Sequence, residues 1–309
     1  MPEIEGVKEM QLDAVFEGGG VRGIAFVGAL LEFEKEGFVW NNIAGTSAGA
    51  IVSSLLAAGY SGKELEGLMR EFDCLALTRR RGLAKIPLIG VIVNLWIREG
   101  MFTGDYLIDW MTEKLKKKNI YTFDDLPQGK LKLIASDITH GKMLVLPDDL
   151  KMIGIDPRTF PVAMAVRMSA SLPMFFEPVV LKHKNQKTYI VDGGILSNYP
   201  VWLFGDNPRS QYPTIGFRLF ASEDVSPYEI NFFPDYVSAM VKTMLHAHDQ
   251  RYIDHQHIKH TVMIPTQGIS TAQFDLSMEE RDMLFRSGQG AAQQFLRNII
   301  TLRKNGKTS

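Results

Sequence analysis

The sequence has little of several features that would assign it quickly to a class of protein. It contains one cysteine, Cys74, among 309 residues, which excludes an internal disulfide, a CxxC redox motif and a cysteine-rich zinc site. Its 34 lysines and arginines are balanced by 35 aspartates and glutamates. General nucleic-acid binders need a basic excess to displace counterions. We therefore expect no disulfide, no metal site and no nucleic-acid partner.

Long hydrophobic runs and targeting signals are also missing. The N-terminal segment MPEIEGVKEMQLD is acidic and polar, unlike the basic and then apolar start of a secretory signal. The longest apolar stretch, residues 86–97, has twelve residues, whereas a helix needs roughly 18 to cross a bilayer. The sequence thus predicts a cytoplasmic protein without a transmembrane segment, with peripheral membrane contact left open.

Apolar runs, glycine-bearing turns and helical patterns recur in that order along the chain. Strands are predicted at Leu12–Phe16 and Phe38–Ala44, each followed by glycines and then by a helix. The second helix, Ala48–Ala58, stops at Gly59, since glycine adopts the left-handed cap conformation most easily. Strand–helix–strand connections with short turns require parallel strands. The pattern therefore predicts an α/β fold with a mainly parallel central sheet.

Further elements are predicted as far as the C-terminus. They are strands at Lys130–Ser136, Lys142–Leu146, Lys187–Val191, Thr214–Phe220 and Thr261–Ile264, and a helix at Phe160–Ser169. A capping box, Ser277 with Glu280, opens a C-terminal helix. Because neither a Pro/Ser-rich linker nor a repeat interrupts the pattern, we expect a single domain over residues 1–309. Its motifs lie in residues 12–205, and a helical part covers residues 235–303.

The strongest motif is G-x-S-x-G at residues 45–49, between a predicted strand and a predicted helix. A serine on so sharp a turn is lifted out of the sheet edge, and the glycines leave room for a strained backbone. Ser47 also lies at a helix N-terminus, whose dipole favours an oxyanion. Ser47 is therefore a candidate nucleophile, with an ordinary helix N-cap as the alternative.

A second glycine motif, GGGVRG at residues 18–23, also separates a strand from a helix. Its G-x-G-x-x-G pattern is that of dinucleotide-binding loops, which need an acidic residue at the end of the second strand. That strand runs into Gly45 and has no acid there, which disfavours nucleotide binding. Consecutive glycines instead expose neighbouring N–H groups, as an oxyanion hole requires, and Arg22 either holds the loop or adds positive potential.

A third motif, Asp192-Gly193-Gly194, follows the predicted strand Tyr189–Val191. We expect Asp192 to project from the carboxyl edge of a parallel sheet, the edge from which Ser47 also emerges. A carboxylate there could accept the serine proton directly as a general base. By itself the motif is equally typical of an Asp-Gly turn.

Together, GGGVRG, GTSAG and DGG resemble the motifs of the patatin-like lipid acyl hydrolases. The SASLP sequence at residues 169–173 and the extension DGGILSNYP through Pro200 support the resemblance, which covers residues 16–200. It implies a three-layer α/β/α fold and a Ser–Asp dyad, with Ser47 as the nucleophile and Asp192 as the base.

The resemblance also implies a site without metal or organic cofactor. The N–H groups of Gly18, Gly19 and Gly20 would receive the oxyanion, and Arg22 would support their loop. The expected partner is a lipid acyl-ester substrate (phospholipid, lysophospholipid or acylglycerol) cleaved through an acyl-enzyme. No stable protein partner is inferred.

Two alternatives stay open. A Ser-His-Asp esterase of the α/β-hydrolase type has the chain order Ser, Asp, His, which the late histidines satisfy without any one of them being marked as catalytic. These are His246, His248, His255, His257 and His260. Pairs two residues apart do not converge on a helix, which disfavours a metal site. The second alternative is a non-enzymatic nucleotide- or lipid-binding module.

The segment from Arg79 to Trp96 joins three arginines to an apolar stretch. Such a composition suits transient docking at an anionic lipid surface or a flap over an acyl pocket. A buried helix with a charged lead-in explains it as well, and we favour this interpretation. Met164, Met168 and Met174 could line an acyl pocket, although filling the core is the favoured role.

Overall fold

The computed structural model describes residues 10–78, 100–183, 186–205, 212–220, 230–232, 236, 239–240, 243–244 and 260–304. The segment from Arg79 to Trp96 therefore lies outside the described residues, as do four of the five late histidines. Among the described residues, none of the helices is both long enough and apolar enough to pass through a bilayer.

The predicted elements are present within two residues of their expected ends, and several unpredicted ones join them. The strands are β1 Met10–Phe16, β2 Phe38–Thr46, β3 Gly100–Phe102, β4 Leu131–Asp137, β5 Lys142–Leu146, β6 Met174–Phe176, β7 Val179–His183, β8 Gln186–Asp192, β9 Thr214–Phe220 and β10 Thr261–Pro265. The α-helices are α1 Ile24–Lys35, α2 Ala48–Ala57, α3 Gly62–Glu71, α4 Asp105–Lys117, α5 Val162–Ser169, α6 Trp202–Gly205 and α7 Met278–Lys304.

Eight of these strands form one mostly parallel sheet, in the order β10-β9-β1-β2-β4-β8-β7 with β5 also paired to β4. Neighbours from β10 to β4 are parallel, which confirms the predicted α/β arrangement. The strands β5, β7 and β8 are antiparallel to their neighbours. The expectation that Asp192 ends a parallel strand is therefore wrong, because β8 returns along β4 in the opposite direction.

The ends of β2 and β8 nevertheless meet beside the same strand. β5 pairs along one edge of β4. On the other edge, Ile134 pairs with Thr46 of β2, and the next residue, Ala135, pairs with Asp192 of β8. β2 and β8 thus run toward each other along β4, and their carboxyl ends adjoin. This register brings residues 46–47 next to residue 192.

Both faces of the sheet are covered. In β1, Ala14 and Phe16 join the main core, which also holds side chains of α1, α2 and α7. Val15 points to the other face and packs in a smaller core with Tyr199 and Phe204, the latter from α6. The alternation of side chains along a strand requires this two-sided burial, and it agrees with the predicted three-layer fold.

Candidate active site

Ser47 lies on a sharp turn between β2 and α2. Its φ of 54° and ψ of −118° form a conformation that residues with a side chain seldom adopt. The flanking glycines are required by close backbone contacts. A Cβ on Gly45 would lie 2.4 Å from the carbonyl oxygen of Gly49, and a Cβ on Gly49 would lie 2.4 Å from that of Phe16. The strand-to-helix turn that the G-x-S-x-G motif predicts is present.

Asp192 is buried next to this turn, with 1% of its surface exposed. Its Oδ1 accepts a hydrogen bond of 2.8 Å from the N–H of Gly194, while Oδ2 accepts none from any described residue. Burial raises the pKa of the carboxyl to about 6, against the lowering effects of the Ser47 hydroxyl and the Gly194 N–H. The Ser47 hydroxyl thus lowers the pKa of a buried carboxylate whose Oδ2 is still available to accept a hydrogen bond.

Residues 169–171, at the end of α5, contact the backbone beside both side chains. The N–H of Ser47 donates to Oγ of Ser169 at 3.0 Å. The N–H of Asp192 donates to the carbonyl oxygen of Ser171 at 2.9 Å. These residues begin the SASLP sequence, which therefore sets the distance between the two chain segments.

A buried arginine that the sequence analysis missed holds residue 171. Arg167 is 3% exposed and donates to Oγ of Ser171 and to the carbonyl oxygens of Thr103 at 3.0 Å and Glu177 at 2.6 Å. Burial lowers the pKa of the guanidinium to about 10, although the charges of Asp105 and Glu177 raise it. The available signal was an arginine within an otherwise apolar helix.

The residues after Asp192 contact β2, the strand that precedes Ser47, and the first glycine motif. Oγ1 of Thr46 donates to the carbonyl oxygen of Ser197 at 3.0 Å. The N–H of Gly18 donates to the carbonyl oxygen of Asn198 at 2.9 Å, and Nδ2 of Asn198 donates to the carbonyl oxygen of Gly18 at 3.4 Å. The sequence DGGILSN therefore joins the carboxylate to both other motifs.

Gly18 is in contact with the candidate nucleophile. A Cβ on Gly18 would lie 3.3 Å from Cβ of Ser47 and 2.2 Å from Oδ1 of Asn198. Its own N–H is occupied by the Asn198 carbonyl. This revises the expectation that Gly18 donates to an oxyanion, because its role here is to let the loop approach the serine.

Gly19 and Gly20 keep N–H groups that make no hydrogen bond to any described residue. Nε and the backbone N–H of Arg22 both donate to the carbonyl oxygen of Gly19, at 3.2 and 3.3 Å. These bonds fix the plane of the peptide whose N–H belongs to Gly20, and that N–H points away from Arg22 since the peptide is trans. Arg22 holds the loop, one of the two roles expected for it.

β9 supports the same loop from the other side. Glu17, 1% exposed, accepts hydrogen bonds from Nε of Arg218 at 3.2 Å and from the N–H of Leu219 at 2.6 Å. The Leu219 side chain fills the space next to Gly19, where a Cβ would lie 2.2 Å from its Cδ1. The glycine motif is therefore fixed between β9 and residues 197–198.

The described part of the chain includes one of the five late histidines. His260 is exposed and directly precedes β10, and its carbonyl oxygen accepts the N–H of Gly216. β10 and β2 run in the same direction, and Ser47 follows the carboxyl end of β2. His260 thus lies at the opposite edge of the sheet from Ser47, out of reach for a triad. Within the described residues, no three His, Cys, Asp or Glu side chains are grouped as metal ligands.

Comparison with known proteins gives a family match over most of the motif-bearing part. The family model "Patatin-like phospholipase" matches residues 14–204. The uncharacterized protein YqhO of Bacillus subtilis (strain 168) is 40% identical over 290 residues, which cover 93% of this chain and 99% of that protein. The triacylglycerol lipase ptl3 of Schizosaccharomyces pombe is 26% identical over 195 residues, which cover 62% of this chain and 39% of the lipase.

Solved structures share the fold at low sequence identity. VipD from Legionella pneumophila superposes with a TM-score of 0.59 at 17% identity, over 94% of this chain and 67% of that chain. ExoU of Pseudomonas aeruginosa, in its complex with SpcU, superposes with a TM-score of 0.54 at 19% identity, over 94% of this chain and 52% of that chain. At such identities the likeness concerns the architecture alone.

Proposed function

Because this chain belongs to the patatin-like phospholipase family, we propose that it hydrolyses carboxylic ester bonds of lipids through an acyl-enzyme on Ser47, with Asp192 as the general base. The lipase among its relatives, ptl3, acts on triacylglycerol by its name, and we extend acyl-ester hydrolysis, not that particular substrate, to this chain. We place the reaction in the cytoplasm; docking of Arg79 to Trp96 at a lipid surface stays the alternative to the buried helix that we favour for this segment.

In the proposed first step, Oγ of Ser47 attacks the ester carbonyl while Oδ2 of Asp192 accepts the hydroxyl proton. The carbonyl oxygen becomes an oxyanion beside the N–H groups of Gly19 and Gly20 and the N-terminus of α2. The tetrahedral intermediate then collapses, the C–O bond to the alcohol breaks, and Asp192 returns its proton to the leaving oxygen.

In the second step, water attacks the acyl-enzyme and gives its proton to Asp192. The new intermediate collapses to the free fatty acid, and the proton returns from Asp192 to Ser47. Neither step requires a metal ion or an organic cofactor.

One observation carries this proposal. The buried carboxylate of Asp192 has one oxygen, Oδ2, without a hydrogen bond, and the hydroxyl of Ser47, whose φ is positive, is near enough to lower the pKa of this carboxylate. Burial keeps the pKa of Asp192 near 6, which makes it a stronger base than an exposed carboxylate while it stays ionised at neutral pH.

Nucleotide binding is disfavoured at the glycine motif, because the N–H groups of Gly18 and Val21 already have hydrogen-bond partners within the protein. A pyrophosphate on such a loop needs free N–H groups at the start of the following helix. The N–H of Val21 is donated to the carbonyl oxygen of Thr271 at 3.2 Å, and that of Gly18 to Asn198.

Labelling with a fluorophosphonate, followed by intact mass, tests the nucleophile. We expect one adduct on the wild-type protein and none on Ser47→Ala. For the base, we expect Asp192→Asn to lower kcat for a lipid ester at least about a hundredfold, while circular dichroism remains that of the wild type.

Near wild-type turnover in Asp192→Asn would remove the dyad from consideration. Substitution of each late histidine by alanine decides the triad alternative, since a Ser-His-Asp esterase would lose activity in one of these variants. A folded wild-type protein that takes no label and hydrolyses no ester would contradict the proposed function itself.

A further inference from the structure

The loop between β10 and α7, residues 266–277, lies beyond the family match at residues 14–204 but reaches the candidate site. The N–H of Val21 donates to the carbonyl oxygen of Thr271 at 3.2 Å. A Cβ on Gly20 would lie only 2.0 Å from the same oxygen. The loop is therefore in direct contact with the glycine motif, two residues from the glycine that contacts Ser47.

The same loop reaches the other side of the site through Phe274. The Phe274 ring lies 6.2 Å, centroid to centroid, from the rings of Phe175 and Phe176. Phe175 is four residues beyond Ser171, whose carbonyl holds the N–H of Asp192. Residues 271–274 thus connect the two segments that flank Ser47.

We group three apolar residues of these segments, Leu172, Phe175 and Phe274, under the name aromatic wall. All three pack against the main core yet remain partly exposed. Partly exposed apolar side chains on the segments that contact the glycine motif and Asp192 suit an apolar substrate group, because ligand sites combine mostly apolar walls with a few polar groups.

The wall is fixed at both ends. Ile269 and Leu276 anchor the loop with exposures of 5% and 6%. Next to Phe175, Met174 has a φ of 69°, a genuine outlier for a bulky residue and of the kind that clusters at ligand sites. Because each methylene in contact with such a wall adds binding free energy, the wall favours acyl chains long enough to reach it.

We propose that the aromatic wall of Leu172, Phe175 and Phe274 binds the fatty acyl chain of the substrate, and that residues 266–277 thereby set the chain-length preference. This inference rests on the proposed function. The inference also assigns a role to a part of the chain outside the family match. Of the methionines considered above, Met174 would lie beside the acyl chain, whereas the fully buried Met168 belongs to the core.

The test compares kcat/KM for p-nitrophenyl acetate and p-nitrophenyl decanoate, below the concentration at which the decanoate aggregates. Each methylene in contact with an apolar wall is worth about fourfold in binding. We expect Phe274→Ala to lower the decanoate-to-acetate ratio of kcat/KM about tenfold or more, chiefly through KM for the decanoate.

Phe295→Ala is the matched control. Phe295 is also partly exposed and packed on the main core, but it lies 6.0 Å from the Phe33 ring on α1. We expect this variant to leave the ratio unchanged. Phe274→Trp keeps an aromatic ring packed at this position but occupies more of the space beside the wall, so it should shift the preference to shorter acyl chains. This variant tests the inference even where Phe274→Ala folds poorly.

An unchanged ratio in Phe274→Ala and Phe274→Trp would overturn the acyl-wall inference while the enzyme remained an esterase. Failure of the proposed function looks different, because wild-type protein would then hydrolyse neither ester and Ser47 would take no fluorophosphonate.

Discussion

Ser47 and Asp192 each have a feature that lowers the stability of the folded protein. The positive φ of Ser47 belongs to a class of backbone conformation that costs about 1–3 kcal/mol. Asp192 keeps a carboxylate in a fully buried position with one oxygen unpaired, and an uncompensated buried polar atom costs about 1–3 kcal/mol. In the proposed mechanism both features serve the nucleophile and its base, so we expect stability and activity to be opposed at these two residues.

Asp192→Asn should therefore stabilise the protein at pH 8 while it removes activity. The folded-state pKa of about 6 exceeds the ordinary value of 3.8, so the folded chain binds this proton more tightly than the unfolded chain. The contribution of Asp192 to wild-type stability then falls as pH rises from about 4 to about 6 and is constant above that range. We expect the variant to gain about 1–3 kcal/mol in free energy of unfolding at pH 8, measured by urea denaturation, and little at pH 4.

The exposed aspartate Asp275 provides the control. Asp275→Asn should change stability little at either pH. An equal gain for Asp192→Asn at pH 4 and pH 8 would attribute the effect to packing and contradict the burial of an ionised carboxylate.

At the scale of elements, α1 and α7 are in close backbone contact. A Cβ on Gly288 would lie 1.8 Å from the carbonyl oxygen of Ala25, and a Cβ on Gly28 would lie 2.0 Å from that of Phe285. Because the neighbouring atoms belong to backbone, neither helix can yield without moving as a whole. α1 begins directly after the glycine motif, so this contact also supports the loop that carries Gly19 and Gly20, the proposed oxyanion donors.

Two glycines of α7 should consequently respond in opposite directions to alanine. Gly288→Ala forces the helices apart and should lower the free energy of unfolding by about 1–3 kcal/mol. Gly290 has open space where its Cβ would lie, so Gly290→Ala should raise it by about 0.5–1 kcal/mol through helix propensity. Thermal unfolding of both variants measures the difference, and destabilisation by both would contradict the assigned contact.

At the scale of the whole molecule, the sheet continues past the end of the family match. That match ends at residue 204, whereas β9 begins at Thr214 and pairs with β1 at the centre of the sheet. The Glu17 carboxylate accepts hydrogen bonds from the guanidinium of Arg218 and the backbone N–H of Leu219, both in β9. The Phe217 ring, also in β9, stacks on Phe16 at 4.8 Å. We therefore propose one folding unit over the whole chain.

A fragment of residues 1–205 should accordingly fail to fold. Without β9, β1 becomes an exposed edge strand, and buried Glu17 loses its hydrogen bonds from Arg218 and Leu219. We expect the fragment to aggregate or to unfold without a cooperative transition in urea, whereas the full chain shows one transition. A soluble fragment that unfolds cooperatively and takes the fluorophosphonate label would establish residues 12–205 as an independent domain instead.

Local features could be predicted because they depend on neighbours along the chain. Gly59 has the positive φ of 88° expected of a helix cap, and the Ser277–Glu280 capping box forms, with bonds of 2.8 and 3.1 Å. The turn at Ser47 follows from its two glycines in the same way. The three-residue strands β3 and β6 were missed because so short a run has no readable period.

Four of the helices, seven of the strands and the three motifs could be predicted from the sequence, because propensity, capping and turn chemistry act over a few residues. How the motifs combine depends on the tertiary structure. Ser169 holds Ser47 across 122 positions and Asn198 contacts Gly18 across 180, and the antiparallel return of β8 brings Asp192 to the end of β2. The hydrogen bond of the Gly18 N–H to Asn198, that of Arg167 to Thr103 and the packing of Phe274 on Phe175 could not be predicted, because these partners come from segments distant in the chain.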